Sequence, residues 1–241
     1  SHGASLDTLP KRYGVENFSD RSDSYIDLER KLNYLVRHGS PKTIYLTADP
    51  HMLSPDREAY NNNMLSAAFT NKTDYDSFYT YVLEAKIKPN TVFFNKKYMP
   101  LLKNYAKGLL KKPNTSAPNI LWADKEATEK KRLSEERMQV YFSSTHTSAA
   151  LKAALQRMVA LCEQNNIELI GVKFPLSPTY NTMLGDKNFH ADGIFRANRM
   201  PILDFQDSLQ NDLYFRDQDH LNDDGANQFC RLLLAPEFDS K

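Results

Sequence analysis

The sequence predicts an α/β fold built on a doubly wound parallel sheet, with a helical insertion on one side. Short apolar runs alternate with amphipathic helical patterns, which is typical of parallel strands joined by helices. The 241 residues suit one large domain with a buried core. Residues 55–145 interrupt the alternation with mostly helical patterns. We therefore expect one domain over residues 1–241 that carries its insertion at about 55–145.

The first elements are a strand, a helix and a second strand. Residues 15–19, "VENFS", predict a short strand ending in turn residues. The next segment, "DSYIDLERKLNYLVRHG", places apolar residues three and four apart, with Asp23 or Ser24 as the cap and Gly39 as the end. The run "KTIYLTADP" predicts a buried strand at 44–48. Together they predict a parallel βαβ unit.

The later elements resume this rhythm after the insertion. The charge run at 124–137 predicts a solvated helix face. The following helix, "TSAALKAALQRMVALCEQNN", has one apolar face, formed by Leu151, Leu155, Met158, Val159 and Cys162. Strands are expected at 167–174 and 201–205, and "GANQFCRLLL" predicts the last helix. Ligands of such sheets bind beyond the carboxyl ends of the strands.

Composition excludes several classes of partner and cofactor. The net charge of +1 gives no electrostatic reason to expect nucleic acid or an anionic membrane as a partner. The longest apolar runs are too short to cross a bilayer. Only 8 glycines occur, without a glycine-rich phosphate loop. Cys162 and Cys230 are expected to be buried free thiols. No zinc pattern is present, and we expect neither metal nor cofactor.

The stretch "DQDHLNDDGANQF", residues 217–229, carries the clearest candidate chemistry. Asp217 and His220 are three apart on a loop that enters the last helix. At this spacing the carboxylate can accept a hydrogen bond from Nδ1–H of the imidazole, which leaves Nε2 as a base. Such a base can deprotonate a hydroxyl for attack on an acyl carbon. The alternative is a polar turn with a helix cap and no chemistry.

The pattern DxxHLNxxGA before the last helix resembles the SGNH (GDSL-like) hydrolase superfamily. "FRDQDHLNDDGANQF" is similar to its DltD-like and alginate-acetylation-like envelope branch. The resemblance implies an SGNH/flavodoxin-like three-layer fold and a triad of Ser1, Asp217 and His220. It also implies a location outside the cytoplasm, in the cell envelope or periplasm, with a possible membrane tether upstream of the sequence.

The beginning, "SHGASLDTLP", places Ser1 where the family has its nucleophile, but the strand that precedes that serine is missing. Either an apolar strand lies upstream, or Ser1 and His2 are not native and the resemblance at this end is accidental. The family's two oxyanion blocks also differ here. Ser19 or a near neighbour stands at the place of the glycine, where a backbone N–H of Ser19 could still serve as donor. "TADPHML" stands where the third block usually has an asparagine; either His51 substitutes as the donor there, or the block has lost that role.

These observations predict a serine-dependent esterase or O-acyltransferase whose substrate is an acylated envelope glycan or a small ester. The alternative is a non-catalytic glycan- or protein-binding module with an SGNH-like fold, which the altered third block and the insertion favour. A nucleotide-binding doubly wound protein is a remoter alternative. His146 and His190 are expected to be surface or loop histidines, and Trp122 a core residue rather than part of a sugar-binding face.

Overall fold

The fold is a mixed α/β structure around a small parallel sheet. A computed structural model describes residues 14–20, 22–59, 63–87 and 121–238. Within this part of the chain, β1 (Thr43–Thr47), β2 (Glu168–Lys173) and β3 (Ile202–Asp204) form a parallel sheet in the order β1-β2-β3. Three predicted strands are therefore confirmed to within one or two residues at each end. Because all three are parallel, their carboxyl ends lie on one edge.

The strand predicted at residues 15–19 is wrong, since residues 15–20 have no regular secondary structure. Local hydrogen bonds supply a reason. The side-chain oxygen of Asn17 accepts both the backbone N–H of Ser19, at 3.0 Å, and its hydroxyl, at 2.7 Å. Such side-chain bonds compete with the strand ladder for backbone donors. The βαβ unit predicted over residues 15–50 therefore lacks its first strand.

The first helix, α1 (Tyr25–His38), begins and ends where the sequence predicts. Of the two candidate caps, Ser24 is the one used, and it forms a reciprocal capping box with Asp27. The N–H of Gly39 closes the helix on the carbonyl of Leu35 at 2.8 Å. The apolar spacing and the cap signals together thus placed this helix correctly.

Residues 55–145 are largely helical where they are described, and residues 88–120 lie outside the described part. The elements are α2 (Pro55–Ala59), α3 (Asn63–Ser66), two 3₁₀ turns (Ala67–Phe69 and Lys72–Asp74), α4 (Phe78–Tyr81), a π-helical turn (Val82–Ile87) and α5 (Ala127–Tyr141). On α5, Arg132 pairs with Glu129 and Glu136 on an exposed face, as the charge run predicts.

The remaining helices are α6 (Ala149–Gln164), α7 (Pro178–Leu184), α8 (Ala191–Ala197) and α9 (Asp223–Phe238), with a 3₁₀ turn at Asp212–Tyr214. All five residues of the predicted apolar face of α6 are buried, and Cys162 and Cys230 are buried free thiols, so both predictions are confirmed. Among the described residues, no helix has the length and apolar character needed to cross a bilayer.

Two apolar clusters border the sheet. One joins β1 and β2 to α1, α6 and α8, with Leu32, Leu155 and Phe195 among its members. The other includes Val172 of β2 and Phe229 of α9, and it holds the fully buried Trp122. Trp122 is thus a core residue, and its indole N–H donates to Asp212 at 3.1 Å.

Candidate functional site

Asp217 and His220 lie on a small antiparallel hairpin rather than on the loop that the sequence predicts. The hairpin consists of β4 (Phe215–Asp217) and β5 (His220–Leu221), and it pairs Asp217 with His220. Phe215 and Leu221 are buried in the second apolar cluster. Their burial anchors both strands and so fixes the positions of the two polar residues.

The residues after His220 hold the hairpin against the last helix. The side-chain oxygen of Asn222 accepts the backbone N–H of Gly225 at 2.9 Å, and its amide donates to the carbonyl of Leu213. A Cβ at Gly225 would lie 2.1 Å from the carbonyl oxygen of Tyr214. The "NDDGA" part of the motif, residues 222–226, is therefore structural, since it caps α9 and permits this close approach.

The imidazole of His220 is held by two carboxylates. Its Nδ1 lies 2.7 Å from Oδ1 of Asp217 and forms a hydrogen bond there. Oδ1 of Asp219 lies 3.1 Å from the same nitrogen, but this second carboxylate oxygen has no hydrogen-bond partner. With Nδ1 engaged, Nε2 is the nitrogen left for other chemistry.

Both members of the pair have displaced pKa values. Burial disfavours the protonated imidazole, yet the hydrogen bond and charges of Asp217 and Asp219 outweigh it and raise the pKa of His220 from 6.5 to about 9. Burial likewise disfavours the carboxylate of Asp217, but bonding to His220 lowers its pKa to about 2. At neutral pH the two residues therefore form an imidazolium–carboxylate pair, with about one imidazole in a hundred neutral.

A cavity of about 1220 Å³ opens beside this pair, and we call it the main cavity. His220 and Asp219 line it, whereas Asp217 does not. It runs along β1 from Thr43 to Thr47 and reaches the residue after β2, Phe174. The part near Thr47 and Phe174 lies at the edge at which parallel sheets bind ligands.

His51 borders the same cavity. Its ring stacks on Tyr141 with centroids 4.2 Å apart. Burial and the positive charges of Arg57, Arg137 and His220 lower the pKa of His51 well below its usual value. The ring is therefore neutral at physiological pH, and a neutral imidazole can donate one N–H.

The Ser19 donor that the sequence proposes is not available in this structure. Ser19 lines the main cavity, but its backbone N–H is bonded to the side chain of Asn17. A donor already satisfied in this way cannot also meet a developing oxyanion without breaking that bond. Ser1 lies outside the described residues, so its role as nucleophile stays a prediction.

The sequence analysis missed Asp49, which follows β1 and borders the main cavity. Its Oδ1 accepts the backbone N–H of Phe174 at 2.8 Å, and its Oδ2 accepts the hydroxyl of Thr47 at 2.9 Å. Burial raises the pKa of Asp49 to about 6, against the effect of these bonds. The carboxyl group thus ties the end of β1 to the end of β2. An acidic residue directly after a predicted buried strand is the sequence signal that could have identified Asp49.

Two arginines of the cavity wall were also missed. Arg57 comes from α2, and Arg137 comes from the charge run that was predicted to be solvated. Arg137 instead lies half-buried, 3.4 Å from Asp219, with its guanidinium over the ring of Tyr141 at 5.5 Å. That prediction therefore fails on the inner face of α5, where Arg137 lies against the hairpin and Lys130 is buried and pairs with Asp212 at 2.8 Å. His146 and His190 are exposed, in agreement with their prediction.

Asp217, Asp219 and His220 also place three ligand atoms within 4.8 Å of one another, which is close enough to share a metal ion. A cation there would have to displace the proton on Nδ1 of His220. Because the pKa of about 9 keeps that proton in place at neutral pH, the arrangement fits a hydrogen-bonded pair better than a metal centre.

Comparison of the chain with protein-family models, with curated proteins and with solved structures found no match. The resemblance to the SGNH superfamily therefore rests on the residues of the motif alone.

Proposed function

We propose that this protein is a serine-dependent esterase or O-acyltransferase of the SGNH type, acting on acyl esters of a cell-envelope glycan. The proposal includes the three-layer SGNH arrangement and a location outside the cytoplasm. The observation that carries it is the 2.7 Å bond between Asp217 and His220, with the imidazole on the wall of the main cavity and the carboxylate behind it. An orienting carboxylate behind a base is the arrangement that acyl transfer requires.

In the proposed reaction, Nε2 of His220 takes the proton of the Ser1 hydroxyl as its oxygen attacks the ester carbonyl carbon. The carbonyl oxygen becomes an oxyanion, and the N–H of neutral His51 is the proposed donor to it. The C–O bond to the leaving alcohol then breaks, and His220 returns the proton to that alcohol. Water or a sugar hydroxyl next attacks the acyl-serine, which gives hydrolysis or transfer.

The raised pKa of His220 sets a condition on this mechanism. Only the neutral imidazole can accept a proton, so kcat/KM should rise with pH until about 9. The same observation favours the second candidate, a non-catalytic glycan- or protein-binding module. A histidine that stays protonated at neutral pH is suited to hold an ion pair rather than to act as a base.

Hydrolysis of p-nitrophenyl acetate separates the two candidates. We expect His220→Ala and Ser1→Ala to lose most of the activity, since a triad works as a unit. His146→Ala is the matched control, because His146 is an exposed histidine that bonds only to nearby Ser144. A fluorophosphonate should add to the Ser1 oxygen with loss of fluoride, and mass spectrometry of the digested protein locates the adduct.

Equal rates for the parent protein and both variants, with no adduct at Ser1, would end the esterase proposal. In that case a ligand that still binds His220→Ala supports the binding module. Activity that survives Ser1→Ala but not His220→Ala would identify a different nucleophile for the same base.

A further inference from the structure

The guanidinium of Arg57 lies in the wall of the main cavity without an acidic partner. Arg57 is half-buried on α2, and its Nη2 donates to the backbone carbonyl of Asp23 at 2.5 Å. Its Nε is buried and has no hydrogen-bond partner. Within the described ranges, no carboxylate comes close enough to form an ion pair with it.

Three other cations of the same wall have acidic partners. Lys31 pairs with Asp23 at 2.8 Å, and Arg137 lies 3.4 Å from Asp219. His220 is bonded to Asp217. Buried or half-buried charges in proteins are normally paired, because removing a charge from water costs several kcal/mol. The unmatched charge of Arg57 therefore stands out from its neighbours.

Arg57 also lies near the proposed reaction centre. His51 borders the same cavity, and the charges of Arg57 and His220 both act on its ring. A ligand group bound at Arg57 would thus lie in the same part of the cavity as the base. Guanidinium groups bind carboxylates and phosphates through charge-assisted hydrogen bonds.

We infer that Arg57 is a binding site for an oxyanion, a carboxylate or a phosphate, carried by the ligand of the main cavity. If the protein is the esterase proposed above, its substrate is an acidic ester rather than a neutral one. This wider conclusion rests on the proposed function. The anion pairs with the guanidinium of Arg57 and holds the rest of the ligand near His220.

Binding of small anions tests the site without any need for turnover. Isothermal titration of the whole protein would use D-glucuronate for a carboxylate, inorganic phosphate for a phosphate, and D-glucose as the neutral comparison. We expect at least one anion to bind and D-glucose not to bind. Arg57→Gln should weaken the anion about tenfold or more, which is typical for loss of one charge-assisted bond.

Two further variants control for folding and for general charge. Arg57→Lys keeps the positive charge and should retain part of the affinity that Arg57→Gln loses. Arg157→Gln removes an exposed arginine that pairs with Glu29 away from the cavity, and it should bind as the parent protein does. Thermal unfolding of each variant without ligand shows whether it is folded.

The results distinguish this inference from the proposed function. Anion binding that depends on Arg57 supports the site even if the protein hydrolyses no ester. Equal affinity in the parent protein and in folded Arg57→Gln, or no anion binding at all, overturns the site and leaves the esterase proposal to its own test. Binding of phosphate but not of glucuronate would assign the site to phosphate-bearing ligands.

Discussion

Replacing Asp217 with asparagine tests the pair on which the proposed chemistry depends. The substitution keeps the size and one acceptor oxygen but removes the charge. The rise in the pKa of His220 from 6.5 to about 9 corresponds to about 3 kcal/mol in favour of the protonated ring. Asp217 makes the shorter contact with Nδ1, at 2.7 Å against 3.1 Å for Asp219, and raises this pKa more than Asp219 does through its hydrogen bond. We therefore expect Asp217→Asn to lower the pKa of His220 by roughly 1–2 pH units.

The pH dependence of stability follows from the same values. Because the pKa of His220 is raised in the folded state, its contribution to stability is complete below pH 6.5 and is lost as the pH rises through about 9. Because the pKa of Asp217 is lowered in the folded state, its contribution to stability is present above pH 3.8 and is lost as the pH falls through about 2. The difference in unfolding free energy between the parent protein and Asp217→Asn should thus be largest between about pH 4 and 6.5.

The assay is an NMR titration of the imidazole nitrogens, together with urea unfolding across the same pH range. Asp224→Asn is the matched control, since Asp224 belongs to the same motif but is exposed on the first turn of α9. We expect this control to leave the pKa of His220 nearly unchanged. A parent His220 that titrates near 6.5, or an identical titration in Asp217→Asn, would refute the reasoning.

Two further predictions concern the frame of the site. Gly225→Ala should lower the free energy of unfolding by about 1–3 kcal/mol in urea, because the new Cβ meets the Tyr214 carbonyl oxygen at 2.1 Å. Gly193→Ala, whose Cβ has its nearest neighbour at 3.9 Å, should be neutral or stabilising. Because the folded pKa of Asp49 is raised to about 6, its contribution to stability is complete below pH 3.8 and is lost as the pH rises through 6. Asp49→Asn should abolish this pH dependence, and at about pH 8 the variant should unfold at a higher urea concentration than the parent protein. A parent protein whose stability is constant from about pH 4 to 8 would contradict this prediction.

Local patterns placed much of the fold. The period of α6, the cap region and end of α1 and the three strands of the sheet were all visible in the sequence, because each depends on residues only a few positions apart. The strand predicted at 15–19 does not form, because the side chain of Asn17 accepts hydrogen bonds from Ser19 and so competes with strand pairing. The prediction that the charge run is solvated holds at Arg132 and is wrong at Arg137. The sequence pattern does not reveal which residues of the helix pack against the hairpin.

The sequence by itself determined the Asp217–His220 spacing, the Asn222 cap and the glycine that lets α9 approach, all within nine residues of chain. Only the tertiary structure decided what faces the imidazole. Asp49, Arg57 and Arg137 come from three separate elements, and long-range packing against the sheet brings them to one cavity. The tertiary structure also decides the pKa of His220. This pKa depends on burial and on the charges of surrounding groups, and no local sequence pattern specifies their distances.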